Sequence, residues 1–280
     1  MSTARPTFWG LTGAIYDYAV SDGATGGYYR RTCSADSADG YASSLCLWYG
    51  WHGAQGTPIL RNLISSNRPT LDLIAGVLSN PKSLDSSDGL TWAYPGYGYK
   101  FLSDNCEGSR GLLDYSNLVQ AAFGDSGAAA SLSSEAANMR NGILGFWNSS
   151  TNTLAKDKAS NGAFDQANMA NWYPDAVAQI YPIVFGVMTP TDQKAINAYA
   201  SLNAAFPNWD TFQFNDSFTW VIVGYAATLM GDADRANQYR MSVESKFVNV
   251  SPPFPYPWYD AEDGGFMRMA ALESKTAMYL

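Results

Sequence analysis

Histidine is almost missing from this chain: His52 is the one such residue in 280. Cysteine is nearly as scarce. Cys33, Cys46 and Cys106 form no Cys-x-x-Cys pair, so a zinc site of the usual ligand count is not expected, and at most one disulfide could form, with partners the spacing does not name. Neither a metal nor a cofactor is expected. Long apolar runs are absent too, with nothing approaching the roughly 18 consecutive residues of a membrane span, so no membrane partner is expected. Charge makes up only 15% of the residues, and 17 Lys and Arg against 25 Asp and Glu leave a net charge of −8 and a pI near 4.6. That field repels phosphate backbones, which argues against nucleic acid as a partner. The chain carries no Gly-x-Ser-x-Gly nucleophile turn, no phosphate-loop spacing and no dinucleotide fingerprint. Its start, MSTARPTFWG, lacks the apolar core of a signal peptide, so the expectation is a cytoplasmic protein or an exported one whose leader has been removed.

What the chain has instead is apolar and aromatic bulk. Apolar residues reach 46% and aromatics 14%, including 9 Trp and 18 Tyr, and flat amphipathic rings suit stacking surfaces as well as cores. From about residue 37 onward the apolar residues recur at i, i+3, i+4 and i+7, which predicts helices. Segments near 37–51, 105–122, 173–187, 216–230 and 260–272 are poor in charge along their bodies. Those near 56–66 with 69–79, 127–147, 191–205 and 233–248 carry a polar face. A helix apolar all round must be covered on every side, whereas one with a polar face lies outside. The alternation therefore predicts an all-α fold of inner and outer helices paired as hairpins, in one domain spanning 1–280, with short strand signals near 26–32 and 90–100 only.

The helix bodies share no consensus, but their entrances do. SADSADGYASS, SDNCEGSRGLLD, NWYPDAVAQ, FNDSFTWVI and PWYDAEDGGF each join a carboxylate to an aromatic or a glycine at a helix start. Capping explains much of this, because acidic residues in a first turn are favoured by the helix dipole, and Asp104-Asn105-Cys106-Glu107 fits a capping box. It does not explain WYPDAV. If Pro174 is the first helical residue, Asp175 is freed from capping, and its aromatic neighbours remain to be accounted for. Sugars offer a reason: their C–H faces stack on Trp and Tyr, their hydroxyls bond to carboxylates, and glycosidic cleavage needs two carboxyl groups. The long loops 80–103 and 148–171, rich in Gly, Ser, Asn and aromatics, are of the functional kind.

Three stretches carry a family resemblance: Ser37-Ala38-Asp39-Gly40-Tyr41-Ala42, similar to a D-x-D-x-A helix entrance; DNCEGSRG at 104–111, similar to an S-E-G acid motif; and Trp258-Tyr259-Asp260-Ala261-Glu262. On these the chain, from about 37 to 272, resembles the (α/α)6 toroid, or six-hairpin, glycosidases. The resemblance implies an (α/α)n toroid, (α/α)6 or a reduced version, since the chain is short for twelve helices. It also implies an inverting glycoside hydrolase with carboxyls about 6.5–9.5 Å apart. Glu107 is then the general acid and Asp39 the base, with Asp175, Asp260 and Glu262 in reserve for the base role. Trp92, Tyr94, Tyr97, Trp172, Tyr173, Trp258 and Tyr259 would be sugar platforms, and Lys100 and Arg110 would recognise a uronate or hold a catalytic carboxylate. Asp175 is expected in the same cleft as Glu107 and Asp39, with Trp172 or Tyr173 on its wall. A polysaccharide lyase or epimerase, or a carbohydrate-binding protein without catalysis, would share these features.

Overall fold

The computed structural model describes residues 7–8, 11–12, 39–40, 42–43, 46, 58–216 and 218–251. The structure is mostly helical, with several very short strands. It divides into two compact units, Met1–Gly145 with Lys158–Ala163, and Phe146–Asp157 with Phe164–Leu280.

In the first unit, β1 (Thr7–Phe8) pairs antiparallel with β2 (Leu11–Thr12), which lies against α1 (Pro58–Ser79). The sequence predicts a break before Pro69, but α1 runs through it. Ile64, Leu71, Ile74 and Leu78 bury one stripe on either side of the proline, and Arg68 ties the helix sideways to Asp125. That tertiary contact offsets the lost backbone bond. The hairpin β3 (Leu84–Asp85) and β4 (Leu90–Thr91) follows, then β5 (Tyr99–Phe101).

α2 (Leu102–Leu118) is the charge-poor helix expected near 105–122, and it starts earlier than the capping-box pattern suggests. Phe101 flanks its start without a side-chain cap, and Asp104 is a first-turn residue. The helix owes its burial to small residues. A Cβ at Gly111 would stand 2.8 Å from the Ser43 carbonyl oxygen, and one at Gly108 would stand 2.9 Å from Met139 Sδ. Close packing against Ser43 and against α3 (Ser126–Leu144) therefore requires these glycines. A wide turn over Val119–Phe123 ends at Gly124, and Asp125 then caps α3 by accepting the Ala128 N–H at 3.1 Å.

The second unit begins with the hairpin β6 (Trp147–Asn148) and β7 (Thr153–Leu154); β8 (Asp157–Ala159) and β9 (Phe164–Asp165) come next in the chain. The helix predicted over 173–187 is not a regular one. Trp172–Ala176 forms a wide turn, Val177–Ile180 a tight one, and only Tyr181–Val184 (α4) is α-helical. Tyr173 is extended, with φ −115 and ψ 139, as expected of a residue before proline. α5 (Gln193–Ala205) follows, and α6 (Val221–Leu229) and α7 (Ala233–Val243) then form an antiparallel pair. Asp232 caps α7, as Asp125 caps α3. Gly224 lets α6 approach Tyr239, where an added Cβ would come within 2.5 Å of the ring.

Candidate functional site

In the first unit two predicted entrances meet. Asp39, 0% exposed, accepts the Gly40 N–H at 2.9 Å and the Thr91 hydroxyl at 2.7 Å. Thr91 is in turn held by Asn105 of α2, whose Oδ1 accepts the Thr91 N–H at 2.8 Å and whose Nδ2 donates to the Thr91 carbonyl at 3.1 Å. A second bond from Nδ2 reaches the Phe101 carbonyl at 2.8 Å. Glu107 lies half-buried one turn above Asp104, on the same side of the helix. Between them in sequence, the Cys106 thiol is pushed well up, first by burial and then by the negative charges of Glu107 and Asp104. Cys46 is likewise pushed up to about 12 by burial, so neither thiol is a nucleophile.

The two predicted cations are taken up internally. Lys100 is 2% exposed, with its ammonium 2.8 Å from both Asp85 and Asp88 and 4.3 Å from the centre of the Trp92 ring. Lys100, with help from Ser87, holds the Asp85 carboxyl far below its usual range. Burial opposes ionisation of Asp88, but bonds from Lys100 and Lys158 outweigh it and the net shift is downward. Arg110 is bonded to Asp114 at 2.9 Å. The pairing does not fully compensate Asp114, whose carboxyl burial pushes up. Tyr94 and Tyr97 pack together at 4.5 Å, and Tyr97 also touches Tyr99 and Phe101, so this loop is an aromatic cluster with one well-exposed ring, Tyr99. A cavity of about 400 Å³ between α1, the β3–β4 hairpin and α3 is lined by Leu84, Asp88, Leu112, Glu135 and Met139 among others. Asp39 and Glu107 do not line it.

In the second unit the entrances at 172–176 and 214–220 also meet, through two stacked pairs. Trp172 is buried flat against Phe214 at 4.2 Å and 3°. Tyr173, 57% exposed, stacks on Trp220 at 4.6 Å and 29°. Of the two aromatics predicted to flank Asp175 on a cleft wall, Tyr173 therefore reaches the surface and Trp172 does not. Trp220 has φ 53, a left-handed conformation that is a genuine outlier for a bulky residue. Its indole N–H donates to Asp216 at 2.9 Å, and Asp216 also accepts the Phe218 N–H. Rather than standing free, the Asp175 carboxylate accepts the Asn168 N–H at 2.8 Å and the Asn171 amide at 3.4 Å, tying down the preceding loop.

Sequence reasoning passed over three residues here. Asp216 and Trp220 lie in the quoted entrance FNDSFTWVI, and the aromatic-plus-carboxylate pattern could have found them. Asp157 had no signal. Burial pushes its carboxyl up, Lys156 at 2.9 Å opposes the shift, and the charges of Asp165 and Asp175 add to it. Trp258, Tyr259, Asp260 and Glu262 lie outside the described residues. Among the described residues no group of three or more His, Cys, Asp or Glu could hold a metal ion, and no helix is long and apolar enough to cross a membrane.

No family model and no curated protein matches the chain. Among solved structures, the GH78 family rhamnosidase of Bacillus sp. GL1 is similar over 72% of this chain and 20% of that one, with 13% sequence identity and a TM-score of 0.47. This chain thus spans about a fifth of that protein's length, and a likeness so slight carries neither fold nor function.

Proposed function

We propose that the chain is a glycoside hydrolase acting on a polysaccharide or oligosaccharide, on the toroid of paired helices that the sequence resemblance implies. The observation that carries the reading is the Tyr173–Trp220 pair: two stacked rings at a meeting of helix entrances, one of them largely exposed, with the other held in a strained backbone conformation by Asp216. A strained backbone, here at the half-buried Trp220 beside the exposed Tyr173, is kept where the surrounding structure over-determines it, and such residues cluster at binding sites. A pyranose ring offers a C–H face to such a platform and hydroxyls to the Asp216 carboxylate beside Trp220. In this reading Glu107 gives its proton to the leaving oxygen and Asp39 takes one from the attacking water, which is the division of labour of an inverting enzyme.

One observation favours a second reading, a carbohydrate-binding protein without catalysis. Asp39 and Asp175 are both buried and already accept hydrogen bonds from the protein. The engagement of Lys100 and Arg110 gives no support to a lyase that must neutralise a uronate.

Reducing-sugar release from a polysaccharide panel tests the first reading. Glu107→Gln should lower the rate by at least about 100-fold, and Trp220→Ala should weaken oligosaccharide binding by about tenfold, close to 1.4 kcal/mol. Unchanged release in Glu107→Gln removes that residue from the mechanism. Calorimetric binding with no turnover over long incubation selects the second reading.

A further inference from the structure

The cavity of about 400 Å³ in the first unit is separate from the carboxylates assigned to sugar cleavage, and its lining has a charge pattern of its own. Its volume falls within the range of small-ligand sites, roughly 300–1,000 Å³. The buried Leu78, Leu112 and Met139 and the half-buried Leu84 make up its apolar side. A thioether on three rotatable bonds adapts to the shape of an apolar occupant. Asn138 and Asn141, both exposed, mark where the cavity opens to solvent.

Among the described lining residues the charged ones are both acids, Asp88 and Glu135. Their situations differ. The Asp88 carboxylate accepts the Lys100 ammonium on both oxygens and the Lys158 ammonium, each at 2.8 Å, and the Leu90 N–H at 3.1 Å. Its charge and its lone pairs are spent. Glu135 of α3 is served by neutral donors: the hydroxyl of Ser79, at the end of α1, on Oε2, and that of Ser131, one turn earlier in α3, on Oε1 at 3.4 Å. A carboxylate offers about four lone-pair sites, so these two bonds use half of them. The wall between α1 and α3 therefore carries a half-buried carboxylate with acceptor sites to spare, next to apolar surface. A hydroxyl would fill a lone pair and leave the charge unanswered. An ammonium answers both, through charge-assisted bonds about twice as strong as neutral ones. The leucines and the methionine select against a ligand that is polar throughout, because polar groups laid against them lose water without gaining a partner.

We propose that this cavity is a binding site for a small primary amine whose ammonium pairs with Glu135 and whose apolar body lies against Leu78, Leu84, Leu112 and Met139. The site stands apart from the hydrolase reading and does not depend on it. Head and body each supply part of the affinity, so a ligand that keeps one and loses the other binds weakly.

The test follows the methionine methyl resonances of the full chain, isotopically labelled in those groups, during titration with n-hexylammonium. Two comparison ligands divide it: n-hexanol keeps the body and loses the charge, and methylammonium keeps the charge and loses the body. The Met139 resonance is assigned by its loss in Met139→Leu, a substitution close in volume. Hexylammonium should shift that resonance saturably, and both comparison ligands should bind at least about tenfold more weakly. Glu135→Gln, at a half-exposed helix position, should weaken hexylammonium by about tenfold and leave hexanol unchanged. If that variant does not fold, Glu135→Asp takes its place; it draws the charge back by one methylene and should weaken the amine in the same direction. Equal affinities for amine and alcohol overturn the proposal, as does an amine affinity that neither change at Glu135 moves. A saturable shift that spares Met139 overturns it too, because the amine then binds elsewhere. So does the lack of any saturable shift up to the solubility of the amine.

Discussion

The hairpins at 84–91 and 147–154 share one backbone design. In each, the side chain of the second residue accepts an N–H two residues on, Asp85 from Ser87 and Asn148 from Ser150, both at 2.9 Å. The residue before the second strand is left-handed, Gly89 at φ 73 and Asn152 at φ 55. The ladder is extended by Trp92 N–H to the Ser83 carbonyl and Ala155 N–H to the Phe146 carbonyl. In each case an amide side chain from a later helix entrance grips both polar groups of one second-strand residue, Asn105 on Thr91 and Gln179 on Leu154. What surrounds the two hairpins differs. The first is held by charge, through Lys100 and Lys158, whereas the second is held by neutral bonds, from Asn197 to Asn152 Oδ1 and from Ser201 to the Asn152 carbonyl. The shared part is thus backbone geometry that needs an amide and a turn, and the divergent part is where one hairpin acquired a link to a buried carboxylate.

The largest expected effect breaks the charged side of the comparison. Lys100→Met leaves Asp85 and Asp88 without their buried partner and should cost about 3 kcal/mol in denaturant unfolding. Both carboxyls are held below their usual range in the folded state. Their stabilisation is therefore complete above the ordinary carboxylate value of about 4 and drains away as pH falls through the lowered folded values. In Lys100→Met that acid-side loss should flatten, and an unchanged slope would show that Lys100 is not the cause.

Next in size is Gln179→Leu. It leaves the buried N–H and carbonyl of Leu154 without a partner and should cost about 2 kcal/mol, with the β3–β4 hairpin unaffected in amide hydrogen exchange. Loss of protection in both hairpins would mean that the clasps are not independent.

The smallest effect sharpens the comparison by exchanging the left-handed residues. Asn152→Gly should change stability by less than about 0.5 kcal/mol, since both residues tolerate that conformation. Gly89→Asn should cost about 1 kcal/mol or more, because its Cβ would lie 3.0 Å from the Asn138 carbonyl oxygen. Equal costs in thermal melts would show that the surroundings of Gly89 yield.

The shared hairpin was hidden in plain view. Asp-Ser-Ser-Asp-Gly and Asn-Ser-Ser-Thr-Asn spell the same turn, but Asp and Asn, or Gly and Asn, are interchangeable only to a reader who asks which backbone conformation each permits. The entrances were legible as a set, and within each unit two of them do meet. Their roles were less legible, because capping, loop tethering and catalysis all recruit carboxylates at helix starts. Asp175 shows the difficulty: WYPDAV suggests an acid released from capping, and the structure spends it on Asn168 and Asn171.

By itself the sequence determined what depends on period and composition. Apolar residues every three to four positions made the chain mostly helical, scarce histidine and cysteine removed a zinc site from the expectations, and the glycines and aspartates at 124–125 and 231–232 turned one helix into the next. Tertiary structure alone decided which polar groups are spent and which are exposed. Lys100 reads as a free cation until two aspartates from a neighbouring turn enclose it, and Trp172 and Tyr173 read alike until Phe214 covers the first while the second keeps an open edge beside Trp220. The physical reason is that desolvation and pairing depend on what lies a few ångströms away in space, from residues far along the chain, and no local pattern records that distance.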